Sequence, residues 1–221
     1  MLPVGGTIQG DARTGLRQVS EAVSDVFLGF YPGGDQGFGV AVLCGHEVRA
    51  ATASDVGDAI DWEAQKCGPT EPRAAGIDTL LHWSDGPSGW RPADKRPRAA
   101  YPAARDSVQS PNGLRGSMVI GGLVLALRLR ERWQSIGLNE THPKVLGFAL
   151  RKVRHSDDDS TGAVAWFAQH SGLDLTCLAT GHELDAVLSA WATREGLAFG
   201  WTDLATDDPT LLFPVGKVTY V

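Results

Sequence analysis

Asp78 closes the short apolar run AAGI and precedes Leu80 and Leu81. That context puts a carboxylate at the carboxyl end of a buried strand, where it serves either a ligand or a turn. Asp185 sits one step after Leu184, on the flank of an apolar helical stripe. From there it can reach past a sheet edge, and as a first-turn acid it also suits the helix dipole. Glu140 and His142 stand two apart in E-T-H-P. They share a face if the strand persists, and as a pair they suit a cation or a phosphate; alternatively Glu140 is solvated and Pro143 simply starts a helix. Asp85, Arg91, Asp94, Lys95, Arg96 and Arg98 lie in one polar stretch. Basic side chains there fit phosphate, arginine through its planar fork. Trp83 and Trp90 can stack on an exposed base or pack the loop onto the core. Hard carboxylate oxygens suit Mg²⁺ or Mn²⁺.

These residues need elements to carry them. VFLGF (26–30) and FGVAVLC (38–44) are apolar runs joined by a Gly-bearing loop, which reads as a hairpin. Residues 46–52 supply a third strand and 54–66 a helix with Ser54 as N-cap. A strand over 72–81 ends near Asp78. Residues 82–113 read as a long polar loop, of a length that is functional or disordered. The run 114–137 reads as one buried helix, apolar on nearly all sides in its first half. A strand end, a proline break and a helix follow over 139–153, then a helix over 162–172. Thr180 and Glu183 form a T-x-x-E capping box. Leu184, Val187, Leu188 and Trp191 continue it at helical spacing. Glu183 is therefore a capping partner, and His182 beside it is loop surface or a substrate contact. The tail, 209–221, reads as a closing strand. The order describes a mixed sheet with helices on both faces, with residues 1–24 as an arm and 25–221 as the domain.

The 221-residue chain is 43% hydrophobic and 21% charged, enough for one sizeable core. A formal net charge of −6 gives no long-range basic field for nucleic acid, although a local basic patch can coexist with it. Three cysteines without a C-x-x-C suggest neither a disulfide framework nor a zinc site. The amino terminus has neither a basic start nor an apolar core, and the longest uncharged run is too short to span a bilayer. The expected setting is cytoplasmic. The Asp157-Asp158-Asp159 run reads as solvated loop.

Four pieces in order, GFYPGGDQGFGVAVL (29–43), GIDTLLHWSDGPSGWRPADKRPR (76–98), ETHPKVLGFAL (140–150) and HELDAVLSAWA (182–192), resemble an uncharacterised family of predicted RNase H-like nucleases known only as a domain of unknown function. The segments 110–130 and 213–221 resemble it too. The resemblance implies an RNase H-like α/β fold with a five-stranded sheet in the order 3-2-1-4-5. It also implies a metal-dependent nuclease or phosphodiester hydrolase acting on nucleic acid or nucleotides through Mg²⁺ or Mn²⁺. Asp78, Asp185 and Glu140 are then the catalytic acids. Arg91, Asp94, Arg96, His142 and Tyr31 line the substrate. Asp35, Asp78 and Asp185 hold metal. Tyr31 departs from the family pattern, which places an aspartate between G-F and P-G-G. A phenol with a pKa near 10 does not replace a carboxylate as a Mg²⁺ ligand. Asp35, four residues on, is the available substitute. A catalytically impaired module that binds a nucleotide, nucleic acid or protein is therefore the competing expectation.

Overall fold

The structure, a computed structural model, describes residues 25–33, 37–81, 87–110, 116–154, 160–199, 202–203 and 217–220. The proposed arm at 1–24, together with Asp35, Trp83, Asp85 and Asp157 to Asp159, lies outside the described residues.

Strands β1 (Val26–Tyr31), β2 (Phe38–Cys44) and β3 (Glu47–Ala53) form an antiparallel meander. Strand β4 (Ala74–Ile77) runs parallel to β1, and β5 (Gly137–Glu140) parallel to β4. The sheet therefore carries the expected order 3-2-1-4-5. Two short strands extend it beyond β5: β6 (Thr202–Asp203) pairs with β7 (Lys217–Tyr220), which lies parallel to β5.

Period-two alternation gives the sheet two apolar faces. Val26, Leu28 and Phe30 of β1 and Ala75 and Ile77 of β4 pack with α1 (Val56–Cys67) and α3 (Gly116–Arg132). Phe27 and Ala74 face the other side, toward α4 (Pro143–Arg151), α5 (Ser160–Ser171) and α6 (Gly181–Phe199). Tyr31 and Asp78 continue the parity of Phe27 and Ala74, so both belong to the α6 side. The ladder reaches them, because the Asp78 N–H donates to the Phe30 carbonyl at 2.9 Å.

Three glycines seat α6 directly on the strands. A Cβ on Gly39 of β2 would overlap the His182 carbonyl oxygen, one on Gly29 of β1 that of Ala186, and one on Gly76 of β4 that of Ser189. The helix crosses β2, β1 and β4 at backbone contact, which fixes Asp185 over the carboxyl ends of β1 and β4.

Three elements differ from the sequence reading. The polar stretch 82–113 contains a helix, α2 (Pro92–Ala100), and a 3-10 segment over Pro102–Ser107. Proline at the first helical position and the Arg91–Asp94 capping contacts start α2. Its interior Pro97 and dense charge hide it from pattern reading. Helix α3 stops at Arg132, since Trp133 and Ile136 turn the chain into β5. Asp55 rather than Ser54 caps α1, accepting the Asp58 N–H at 3.0 Å.

Candidate functional site

Asp78 lies just past the carboxyl end of β4, partly open to a polar cavity of about 480 Å³. Tyr31, Thr79, His142, Lys144, Asp106 and Gln109 are among the groups around that cavity. Burial pushes the Asp78 carboxyl well above its ordinary range, and the charge of Asp185 pushes it further. Asp185, 8% exposed, is raised by burial to about 6. The ammonium of Lys144 lowers both. These are two carboxylates from elements more than a hundred residues apart, sharing one partial counter-charge. Such a site has electrostatic room for a further cation.

The capping box fixes the start of α6 and with it Asp185. The Glu183 N–H donates to Thr180 Oγ1 at 3.2 Å, and Glu183 Oε2 accepts the Ala179 N–H at 2.6 Å. Glu183 Oε1 also accepts from Thr52 Oγ1 of β3 at 3.0 Å. A polar seam ties the middle of α6 to the end of β5: Thr141 Oγ1 lies 2.8 Å from Ser189 Oγ, which donates to the Asp185 carbonyl at 2.9 Å.

Tyr31 ends β1 beside Asp78. Its ring stacks on His182 with centroids 4.8 Å apart and planes 10° from parallel. The Lys144 Nζ lies 5.6 Å from the ring centre. The phenol thus stands where the resemblance calls for a carboxylate, held by an imidazole and close to an ammonium.

Glu140 takes the other side of the sheet. In β5 it pairs with Ile77, whose side chain packs with α1 and α3, whereas the following Thr141 bonds to α6. Glu140 meets Arg91, whose Nη2 reaches Glu140 Oε1 and Asp94 Oδ1 at 2.5 Å each. Arg91 Nη1 and the Leu81 N–H both donate to Glu140 Oε2, at 2.9 and 2.8 Å. Burial would raise Glu140, but the charge and hydrogen bonds of Arg91, with His142 and the Leu81 N–H, hold it below its ordinary value. Burial raises Asp94 despite its hydrogen bonds to Arg91 and the charge of that guanidinium. Burial lowers His142 to about 4, aided by the charge of Arg91. At neutral pH it is an uncharged imidazole, and its 3.8 Å approach to Glu140 is not an ion pair.

Asp94, Glu140 and His142 offer ligand atoms within 4.8 Å of one another. The guanidinium of Arg91 already supplies the positive charge there, which makes this group a poor cage for a metal ion. Asp78 and Asp185 fit a divalent cation better, as hard oxygen donors short of counter-charge. Asp106 also borders the Asp78 cavity, whereas the Glu183 carboxylate is taken up by the helix cap and by Thr52.

The remaining expected contacts divide. His142 and Tyr31 line the cavity. Arg91 and Asp94 are buried, and the guanidinium pairs with Asp94 and Glu140 instead of facing a substrate. Arg96 is exposed on α2 and does not line the cavity. The ring of Trp90 is covered by the Arg98 guanidinium, 4.4 Å from its centre. Lys144 is the site residue that the sequence reading missed. It follows Pro143 in the first turn of α4, where the helix dipole disfavours a cation. That misplacement was its signal. No family model, no curated protein and no solved structure matches this chain.

Proposed function

We propose that this protein is an RNase H-like, divalent-metal-dependent phosphodiester hydrolase, with Asp78 and Asp185 as the metal-holding acids and a nucleotide or nucleic acid as substrate. The observation that carries this reading is the convergence of those two carboxylates on one side of the sheet, close enough for the charge of Asp185 to act on Asp78, which lines a polar cavity. A bound Mg²⁺ or Mn²⁺ would supply Lewis acidity toward a phosphoryl oxygen. Lys144 offsets phosphate charge at the cavity wall. His142, uncharged at neutral pH, can accept a hydrogen bond there. The Arg91 cluster positions the β5 end and the Leu81 backbone without touching substrate. Cys44, Cys67 and Cys177 form no disulfide with one another, which accords with a reducing cytoplasmic setting.

Tyr31 favours a second reading, a nucleotide- or nucleic-acid-binding module with impaired catalysis. Its ring fills the place of a third carboxylate, and Lys144 already brings positive charge to the pair. Calorimetric titration with Mn²⁺, with cleavage assays on single- and double-stranded DNA and RNA, separates the two. The hydrolase reading expects Mn²⁺ binding and cleavage, both abolished by Asp78→Asn. The module reading expects little of either, with Mn²⁺ affinity raised by Tyr31→Asp. If neither the native protein nor Tyr31→Asp binds metal, the hydrolase reading fails.

A further inference from the structure

A second cavity, of about 180 Å³, lies between α4, α5 and α6, with Lys144 and Asp185 in its wall. Lys144 also lines the Asp78 cavity, so the two spaces meet at the proposed phosphate position. The remaining wall is mainly apolar and aromatic and includes Phe148, Trp166, Phe167 and Leu188. Arg151 adds a guanidinium, which lies 5.6 Å from the Trp166 ring centre.

We infer that this cavity is a nucleobase subsite, holding the base of a nucleotide whose phosphate lies at Lys144 and the Asp78–Asp185 pair. This inference rests on the phosphodiester reading of that pair. Three observations select the occupant. The cavity is smaller than the roughly 300–1,000 Å³ that holds a drug-sized ligand, which suits one planar ring system. Its walls combine aromatic groups with a guanidinium, the surfaces on which unstacked bases are held. Two cations, Lys144 and Arg151, border it, complementing the phosphate that a nucleotide brings.

The glycines of the wall point the same way. Gly147 sits inside α4, where glycine lowers helix stability relative to alanine. A Cβ there would meet nothing within 4 Å, so packing does not demand the glycine. The same holds for Gly181 at the start of α6. Both face the cavity. Their missing side chains keep open a space that larger residues would fill.

Titration of the native protein with adenosine 5′-monophosphate, uridine 5′-monophosphate, ribose 5-phosphate and hexyl phosphate, without metal, tests the inference. At least one nucleotide should bind about tenfold or more tighter than ribose 5-phosphate, the scale of one base–aromatic stack. Gly147→Leu should erase that difference while leaving Mn²⁺ binding unchanged. Gly147→Ala, which only begins to fill the space, should give a smaller loss and keeps the test valid if the leucine variant folds poorly. Equal binding of nucleotides and ribose 5-phosphate alongside normal Mn²⁺ binding would overturn the subsite and leave the hydrolase reading standing. Base-dependent binding without Mn²⁺ binding would do the reverse. Hexyl phosphate binding as tightly as the nucleotides would make the cavity a site for an alkyl chain and end the nucleobase inference.

Discussion

Two acidic clusters stand at the same edge of this sheet, on opposite sides of it, and they solve the same electrostatic problem differently. On the α1–α3 side, Glu140 and Asp94 are sealed against Arg91, and Glu140 is held below its ordinary range. On the α6 side, burial raises both Asp78 and Asp185, the charge of Asp185 raises Asp78 further, and among the described residues Lys144 is the cation that lowers both. A buried carboxylate that brings its own guanidinium is finished structure. A pair left short of positive charge costs stability, and it marks the place where an external cation has something to gain. Asp94, Glu140 and His142 form a close set of ligand atoms with Arg91 beside them, so the proposed site at Asp78 and Asp185 rests on charge balance and not on proximity of ligands.

The largest expected effect comes from breaking the finished cluster. Arg91→Met leaves Glu140 buried without its counter-charge, and loss of one partner of such a pair costs about 3–5 kcal/mol. Urea denaturation at pH 7 should show a loss of that size. Glu140, held below 4.5, contributes stability above that pH and loses it as pH falls through the folded value. Arg91→Met should therefore narrow the gap between the variant and the native protein in acid. An unchanged midpoint would mean that the cluster is not holding the fold.

The open pair should behave with the opposite sign. Asp185 is raised from 3.8 to about 6, so the folded state binds the proton more tightly. Its favourable contribution is complete below pH 3.8 and is lost as pH rises through 6. About two pKa units at about 1.4 kcal/mol each put the ceiling near 3 kcal/mol. Asp185→Asn should gain stability at pH 7–8, up to that ceiling, and lose Mn²⁺ binding. Glu63 supplies the control. Burial raises it too, far from the cavity, so its pH dependence has the same sign. Glu63→Gln should alter the pH profile without touching the effect of Mn²⁺ on thermal midpoint. Destabilisation by Asp185→Asn at pH 8 would refute the idea of an under-compensated pair.

The close seat of α6 gives a smaller effect. Gly76→Ala puts a Cβ against the Ser189 carbonyl and in reach of Thr193 Oγ1. Overpacking of this kind costs about 1–3 kcal/mol. It should also weaken Mn²⁺ binding, because α6 must move and carries Asp185 with it. The Arg91 cluster lies across the sheet, so its acid sensitivity should persist in denaturation curves taken at pH 4 and 7.

Much of the open pair was legible and little of the closed cluster was. Asp78 follows an apolar run that can only be a short buried strand, and Asp185 follows a capping box whose two members are three residues apart. Both signals are local. The meander of β1, β2 and β3 was readable from apolar runs and Gly-bearing turns. The Arg91–Glu140 contact spans 49 residues and depends on β5 presenting Glu140 to the α3 side. The sequence reading grouped Glu140 with Asp78 because both end strands, but parallel register places Glu140 beside Ile77 and Asp78 one step further, on the other face. Helix α2 was hidden because Pro97 and its dense charge break the helical pattern, while the Arg91 that caps it is anchored by Glu140, 49 residues away. The pairing of β7 with β5 was out of reach for a similar reason, since four residues carry no sign of their partner.

The smallest expected effect concerns Lys144 and sharpens the contrast between a built-in and a borrowed cation. Lys144 is partly exposed, so its attraction to Asp78 and Asp185 is discounted by solvent and is worth no more than about 1 kcal/mol. Lys144→Met should lower stability at pH 8 by about that amount, as both carboxylates rise further. Its effect on ligands should split. Mn²⁺ affinity should increase, by about fivefold for ~1 kcal/mol, because a competing ammonium has left the pair. Affinity for inorganic phosphate should fall, because the cation at the cavity wall is gone. Stability measured by urea titration and the two affinities by calorimetry decide the matter together. If Lys144→Met weakens Mn²⁺ and phosphate alike, Lys144 organises the site instead of competing for it, and the pair needs its own ammonium as much as Glu140 needs Arg91.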